Sequence, residues 1–271
     1  MPCVANPPGS IPALEASGHA GAPSGAAVIQ AASRELLLLP QRAALDTASR
    51  SLMVADLHVG KAGTFRAHGL PVPAGTTERT LARLDALLAL TGARALFLLG
   101  DLVHGPLAGQ PATVAALAAW RARHRRVEVV LVRGNHDQRA GELPAECGIE
   151  TVAPGYRLGG LRLLHEPPDD SPAFEGGAVP GPSGEARADC GDGDPELFSL
   201  AGHLHPVCVV GGRADRLRLP CFRVGRRDAV LPAFGEFTGG WPVRPRAGER
   251  IFVTDGSRVA ELPSRPARRR A

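Results

Sequence analysis

Lysine is almost absent from this 271-residue chain: Lys61 is the single copy among 31 basic side chains, and arginine supplies the rest. That bias, with 33 glycines and 25 prolines, reflects the GC-rich codon use of a bacterial genome and says nothing about function. Aromatic residues make up only 4%, so part of the length is expected in loops or tails. Cysteine is scarce and odd in number. Cys3, Cys147, Cys190, Cys208 and Cys221 show no CxxC spacing, which fits free thiols in a reducing cytoplasm. No uninterrupted apolar run approaches the ~20 residues of a membrane span. Residues 1–12 lack the basic start and apolar run of a signal peptide. What remains is 44% hydrophobic and 21% charged with a net charge of +4, an ordinary composition for a globular protein. The mild basicity permits a nucleic-acid partner without requiring one.

Three stretches lack the periodicity of packed elements. Residues 1–28 are rich in Ala, Gly, Pro and Ser and read as a disordered arm. Residues 167–195 carry Asp169, Asp170, Glu185, Asp189, Asp192 and Asp194 among Gly and Pro, an acidic flexible insertion. Residues 263–271 form a basic tail with Arg265, Arg268, Arg269 and Arg270. The domain proper is therefore expected over 29–262. Its first half alternates apolar runs at 35–39, 51–55, 95–99 and 127–132 with helical periods at 76–90 and 112–122. Its second half reads as strands, at 156–158, 161–164, 197–201, 207–210, 217–224 and 251–254. The texture predicts an α/β fold, one layered domain with two packed sheets and helices outside.

The polar residues cluster where these strands end. The run at 51–55 is followed by Asp56-Leu57-His58, and that at 95–99 by Gly100-Asp101-Leu102-Val103-His104. The strand at 127–132 leads to Gly134-Asn135-His136-Asp137, and the last two sites are His165 and Gly202-His203-Leu204-His205. Ligands of α/β sheets gather at the carboxyl ends of strands, so five such ends point into one crevice. Imidazole, carboxylate and amide donors suit a pair of divalent cations, with imidazole fitting Zn, Fe, Mn or Ni. Two cations repel, and Asp101, central in the series, is the natural shared carboxylate. DxH or GHLH alone would be a common turn sequence, and GNHD after a buried strand is more specific. It is the ordered set of five that excludes coincidence. His19, His68 and His124 fall outside it and read as structural or exposed.

Rival chemistries fail on single letters. Gly60-Lys61 resembles the end of a P-loop, yet Ala62 stands where Ser or Thr is required. His165-Glu166 runs into Pro167-Pro168, so no HExxH helix forms, and no serine occupies a GxSxG elbow. Lys61 beside DxH is either a phosphate contact or a helix-end lysine. Arg121, Arg123, Arg125 and Arg126, with Arg223, Arg226 and Arg227, are candidates for a DNA backbone or for ordinary surface charge.

The ordered set DxH, GDxxH, GNHD, His and GHxH, from Asp56 to His205, resembles the calcineurin-like metallophosphoesterase superfamily. The resemblance implies a four-layer αββα sandwich of two mixed β-sheets with a dinuclear metal site. It would place Asp56, His58 and His205 on one metal and Asn135, His165 and His203 on the other, with Asp101 bridging. His136 would face the scissile phosphate as a protonated general acid, Asp137 would orient it, and His104 would stand behind the ligands as in the nuclease-like branch. The metals implied are two divalent cations, manganese first, with Fe, Zn, Ni or Co as alternatives. A finer similarity, carried by Asp56 to Lys61, Thr64-Phe65-Arg66, Gly69 to Pro73, Leu231 to Gly235 and Thr238-Gly239-Gly240, is to the bacterial ligase-associated DNA-damage-response endonucleases. That family implies DNA as substrate and a DNA ligase, a helicase and an exonuclease as partners in one repair group, with no membrane. Three functions stay open: a DNA endonuclease or phosphodiesterase, a phosphoesterase for small or cyclic nucleotides, and a non-catalytic scaffold.

Overall fold

The computed structural model describes residues 23–168, 197–211, 216–243 and 246–263. The expected acidic insertion and basic tail lie almost wholly outside these residues, as does most of the expected arm. Strand β1 already begins at Ala27.

The first sheet opens as an antiparallel meander of β1 (Ala27–Ala31), β2 (Arg34–Leu39), β3 (Ala43–Asp46) and β4 (Ser51–Val54). Helices α1 (Lys61–Ala67) and α2 (Thr76–Thr91) then lead to β5 (Ala95–Leu99). Helix α3 (Pro111–Arg123) leads to β6 (Glu128–Val132), and α4 (Asn135–Ala140) leads to β7 (Glu150–Val152). Strands β4 to β7 run parallel, so the sheet is mixed and its order follows the chain. Proline at the first position of α3 costs no hydrogen bond there. Gly92, left-handed at φ 56, ends α2 by donating to the Leu88 carbonyl.

The second sheet takes β8 (Tyr156–Leu158), β9 (Leu161–Leu163), β10 (Phe198–Ala201), β11 (Pro206–Gly211), β12 (Arg216–Val224), β13 (Asp228–Val230) and β14 (Trp241–Pro242). Strand β15 (Arg250–Thr254) pairs with β12 and with β16 (Val259–Glu261). This sheet too is mixed: β10 runs parallel to β9 and β13, while β12 is antiparallel to β11, β13 and β15.

Strand periodicity decides which side chain enters which layer. Successive side chains of a strand point to opposite faces. Leu36 and Leu38 of β2, Met53 of β4 and Phe97 of β5 thus pack against Leu163, Leu200, Phe222 and Phe252 of the second sheet. Their neighbours Leu37, Leu39, Leu52, Leu96 and Leu98 pack on the opposite face with Leu81, Leu84, Leu87 and Leu88 of α2 and Leu117 and Trp120 of α3. Burial on both faces is why these strands read as continuous apolar runs. On its far side the second sheet gathers Cys208, Cys221, Val243, Ile251 and Val253 into a small cluster. Cys147, Cys208 and Cys221 are free and buried. Among the described residues no helix is long and apolar enough to cross a membrane.

Candidate metal centre

The loops after β4 and β5 leave the sheet side by side. Asp56 N donates to Gly100 O at 3.2 Å, His58 N to Asp101 O at 2.9 Å and Val59 N to Leu102 O at 2.9 Å. Asp56, His58, Asp101, His203 and His205 all lie at positive φ, between 45° and 68°. Non-glycine residues in that region cost of order 1–3 kcal/mol each and persist where the surrounding structure fixes them. Here the strain turns each side chain inward. Two glycines permit the close approach: a Cβ on Gly100 would stand 2.1 Å from His165 Nδ1, and one on Gly134 would stand 2.5 Å from Asp101 Oδ1.

The side chains converge as two donor groups, Asp56, His58 and His205 in one and Asp101, His165 and His203 in the other. In the first, His58 Nε2 lies 3.3 Å from His205 Nε2, which is 3.5 Å from Asp56 Oδ1. In the second, His165 Nε2 lies 3.0 Å from His203 Nδ1 and 2.9 Å from Asn135 Oδ1. Asp101 stands between them, with Oδ1 3.3 Å from His165 Nε2 and Oδ2 3.7 Å from His58 Nε2. Backbone bonds set the orientations. His203 N donates to both oxygens of Asp56, at 3.1 and 2.9 Å, and His165 Nδ1 lies 3.1 Å from Leu99 O.

Burial governs the charge states. It lowers His58 to about 2, overcoming the pull of Asp56, while His205, Lys61 and His136 push the same way. Burial and the neighbouring His165 also lower His203. Burial raises Asp101 to about 6, against the opposing charge of His165. For Asp56 burial acts upward, but the hydrogen bond and charge of His205 outweigh it and the carboxyl ends below its ordinary value. His165, despite its burial, is raised by Asp101 and Asp56. His58 and His203, held neutral, thus bring nitrogen lone pairs up against the other imidazoles and two carboxylates, closer together than protons alone can satisfy. That donor chemistry fits divalent cations.

Around this centre lie the other residues singled out by sequence. The His136 ring is about 30% exposed, its Nε2 4.0 Å from Asp101 Oδ2, and its backbone N donates to Asp101 Oδ1 at 3.0 Å. His104 stacks on it at 4.8 Å, and His58, His104 and His136 form a third group of close nitrogens. Lys61, half-buried, couples electrostatically to Asp101 and Asp56.

Three expectations change. Asp137 accepts from Gly134 N at 2.9 Å and Val103 N at 3.2 Å, so its carboxylate ties the loops together, a different task from orienting the His136 ring. Burial, then the charges of His104 and Arg139, lower His136 to about 4, so its ring is neutral near pH 7 in the free protein. The arginine clusters are partly spent inside the fold: Arg223 is buried against Glu249 and Asp228, and Arg121 and Arg123 bond to Gly148 O and Asp85.

Other contributors carry no chemical signature in the sequence. Phe234 N and Gly235 N donate to Ala55 O and Asp56 O, pinning the Asp56 loop from the second sheet. Gln110 Nε2 donates to His104 O at 2.7 Å, and Phe65 stacks on the His104 ring at 6.1 Å. Only the fixed order of the segment from Leu231 to Gly235 hinted at its place.

The family model described as calcineurin-like phosphoesterase matches residues 49–257. Among solved structures, the Pseudomonas putida nuclease MPE is similar at 40% identity with a TM-score of 0.68, over 88% of this chain and 100% of that one. Yfce, a phosphoesterase from E. coli, is similar at 18% identity with a TM-score of 0.35, over 78% of this chain and 97% of that one. No curated protein sequence matches the chain.

Proposed function

The chain belongs to the calcineurin-like phosphoesterase family, hydrolases of phosphoester bonds, and from that premise we propose that it is a DNA endonuclease or phosphodiesterase. The observation that carries this reading is Asp101, whose two oxygens face two separate groups of buried imidazole and carboxylate donors. Asp56, His58 and His205 would hold one divalent cation and Asn135, His165 and His203 the other, with Asp101 shared. When bound, such a pair supplies Lewis acidity toward phosphoryl oxygens and lowers the pKa of water.

The chain's own groups supply the rest. His136, at the open side of the centre, transfers a proton to the departing oxygen as the P–O bond breaks. Its ring is neutral in the free protein, and the negative charge of an arriving phosphate opposes the burial that keeps it so. His104 supports it from behind through the ring stack. Lys61 adds a fixed positive charge beside the same carboxylates. The similarity to a nuclease favours a polynucleotide over a small phosphoester. A place in DNA damage response, beside a ligase, a helicase and an exonuclease, extends the same reading.

The test is reconstitution of chelated protein with Mn, Fe, Zn, Ni or Co, with manganese expected to serve best. Each form is assayed on single-stranded, nicked and duplex DNA and on cyclic nucleotides. Metal-dependent cutting of DNA is the expected result. Turnover confined to cyclic nucleotides would move the reading to a small-molecule phosphodiesterase, and no turnover with full metal content would leave a scaffold.

A further inference from the structure

Aromatic side chains are scarce in this chain, and among the described residues only Phe237 and Trp241 are exposed, at 36% and 41%. Both lie on one segment, and that segment is fastened to the metal centre at each end. Gly235 N donates to Asp56 O at 3.1 Å and Trp241 N to His205 O at 2.9 Å, so two residues of the first donor group hold it by their main chains. Between these points Thr238 Oγ1 donates to Gly235 O at 3.0 Å and Arg218 Nη2 to Gly240 O at 2.7 Å. Gly240 itself is pressed on β11, where a Cβ would stand 2.3 Å from Val207 Cγ1. The two rings are therefore held in water by a braced backbone. Single apolar residues are ordinary on a surface, whereas aromatic ones gathered on one segment beside a polar centre mark a place for a ligand.

Phe237 also ends a row of rings that starts at the open side of the centre. His136 stacks on His104 at 4.8 Å, His104 lies within 18° of parallel to Phe65 at 6.1 Å, and Phe65 meets Phe237 edge-on at 5.7 Å. Each step falls in the range of favourable aromatic pairs, so the row sets where the Phe237 ring sits relative to His136. The charges beside the row suit an anion. Lys61 and Arg139 both act on His136, while Glu236, the acid next to Phe237, is held by Arg79 Nε at 2.6 Å. Cations at the centre and flat rings at its rim fit a polynucleotide, which lays its backbone on the charges and its bases on the rings.

We infer that Phe237 is the stacking seat for a nucleobase flanking the scissile phosphate, with Trp241, beside His205, the seat for a second base; this rests on the reading of the centre as a DNA nuclease. Every base has a π-face, so such seats are blind to sequence and respond to whether a base is present at all. They place the backbone over the metals by its bases, a positioning task that the phosphate contacts leave undone.

The test compares two strands of equal length and charge in the metal-loaded full chain: an oligothymidylate, and the same sugar–phosphate backbone without bases. The parent should favour the oligothymidylate in kcat/KM. Phe237→Ala should cut that preference by about 5- to 100-fold, the worth of one stacked base, and chiefly through KM. Phe237→Tyr, which keeps a ring, should retain it. A folded Phe237→Ala with the preference of the parent overturns the seat, and so does an equal proportional loss on both strands, the mark of packing under His104. Fluorescence reads binding apart from cutting. Trp120 is buried at 1% and Trp241 is exposed, so oligothymidylate should quench the exposed indole and the bare backbone should not. Trp241→Phe should abolish the change, and a parent without quenching overturns the second seat. A parent that cuts neither strand would end the nuclease reading, and binding of oligothymidylate over bare backbone, weakened in Phe237→Ala, would still decide whether bases stack here.

Discussion

The molecule holds two assemblies of buried charge that are closed in opposite ways. On β12, Arg223 is 3% exposed, with Nη1 2.8 Å from Glu249 Oε1 and Nη2 on Asp228. A permanent cation meets two carboxylates, and the chain completes the assembly by itself. At the strand ends, Asp56 and Asp101 are buried as deeply, yet they face imidazoles in place of permanent cations. Burial holds His58 and His203 neutral, and only His165 is raised by the two carboxylates. Lys61 stands only at the edge. Breaking a closed buried ion pair is costly because it strands a charge, whereas an open donor set awaits a cation from outside. The same sandwich thus uses buried charge once for architecture and once for ligand capture.

The largest effect should come from removing the shared carboxylate. Asp101→Ala is expected to lower turnover on the order of 10³-fold or more, through lost stabilisation of transition-state charge, and to lower bound metal. In chelated protein it should leave stability unchanged or raise it, because the ionised carboxylate is disfavoured there. Elemental analysis and thermal unfolding with and without chelator check both halves. Full metal content with normal turnover would remove Asp101 from the centre.

Arg223→Leu should show the reverse pattern. Stranding Glu249 and Asp228 is expected to cost about 3–5 kcal/mol, read by urea unfolding, while bound metal per folded molecule stays constant. A third substitution separates binding from chemistry within the open assembly. His136→Gln should keep the metals and lose about 10²–10⁴-fold in turnover on DNA. An aryl phosphodiester, whose leaving group needs little protonation, should suffer much less. Equal losses on both would rule out proton transfer by His136.

Legibility in the sequence follows the same division. Long apolar runs and the leucines of α2 are visible because a strand buried on both faces and an amphipathic helix each write a period. Strands β3 and β13 are too short to write one, and α1 and α4 are single short helices fixed by the loops around them. The residues that converge at the centre are legible because each follows a strand end, and strand ends share one edge. Their backbone conformations are not, since left-handed Asp56 or His205 leaves no mark in composition. Nor does the letter Asp137 tell whether a carboxylate orients a ring or caps a helix; its bonds to Gly134 N and Val103 N decide that in space. Arg223 shows the same limit, a surface charge by composition and a core ion pair by packing.

The smallest effect is a tilt in stability with pH, and its sign tests the electrostatics of the open assembly directly. His58 and His136 are held neutral down to about 2 and about 4, whereas in the unfolded chain they gain protons below ~6.5. Between those limits the unfolded state binds more protons, so stability falls as pH falls. Asp101, raised to about 6, acts the other way: the folded state keeps a proton that the unfolded state releases above ~4, which adds stability toward acid. His203 and His104, also lowered by burial, act with His58 and His136. His165, raised by Asp101 and Asp56, and Asp137, raised by burial, act with Asp101. Four groups oppose three, so chelated protein should lose stability from pH 6.5 toward pH 5. Each kcal/mol lost lowers the thermal midpoint by about 2–4 °C for a chain of this order. Asp101→Asn should steepen the slope, and His58→Gln should flatten it. Midpoints of the chelated proteins at pH 7.5, 6 and 5 decide the matter. A flat or inverted profile in the parent would mean that the imidazoles are not held neutral, and the open assembly would then resemble the Arg223 pair more than a cradle for cations.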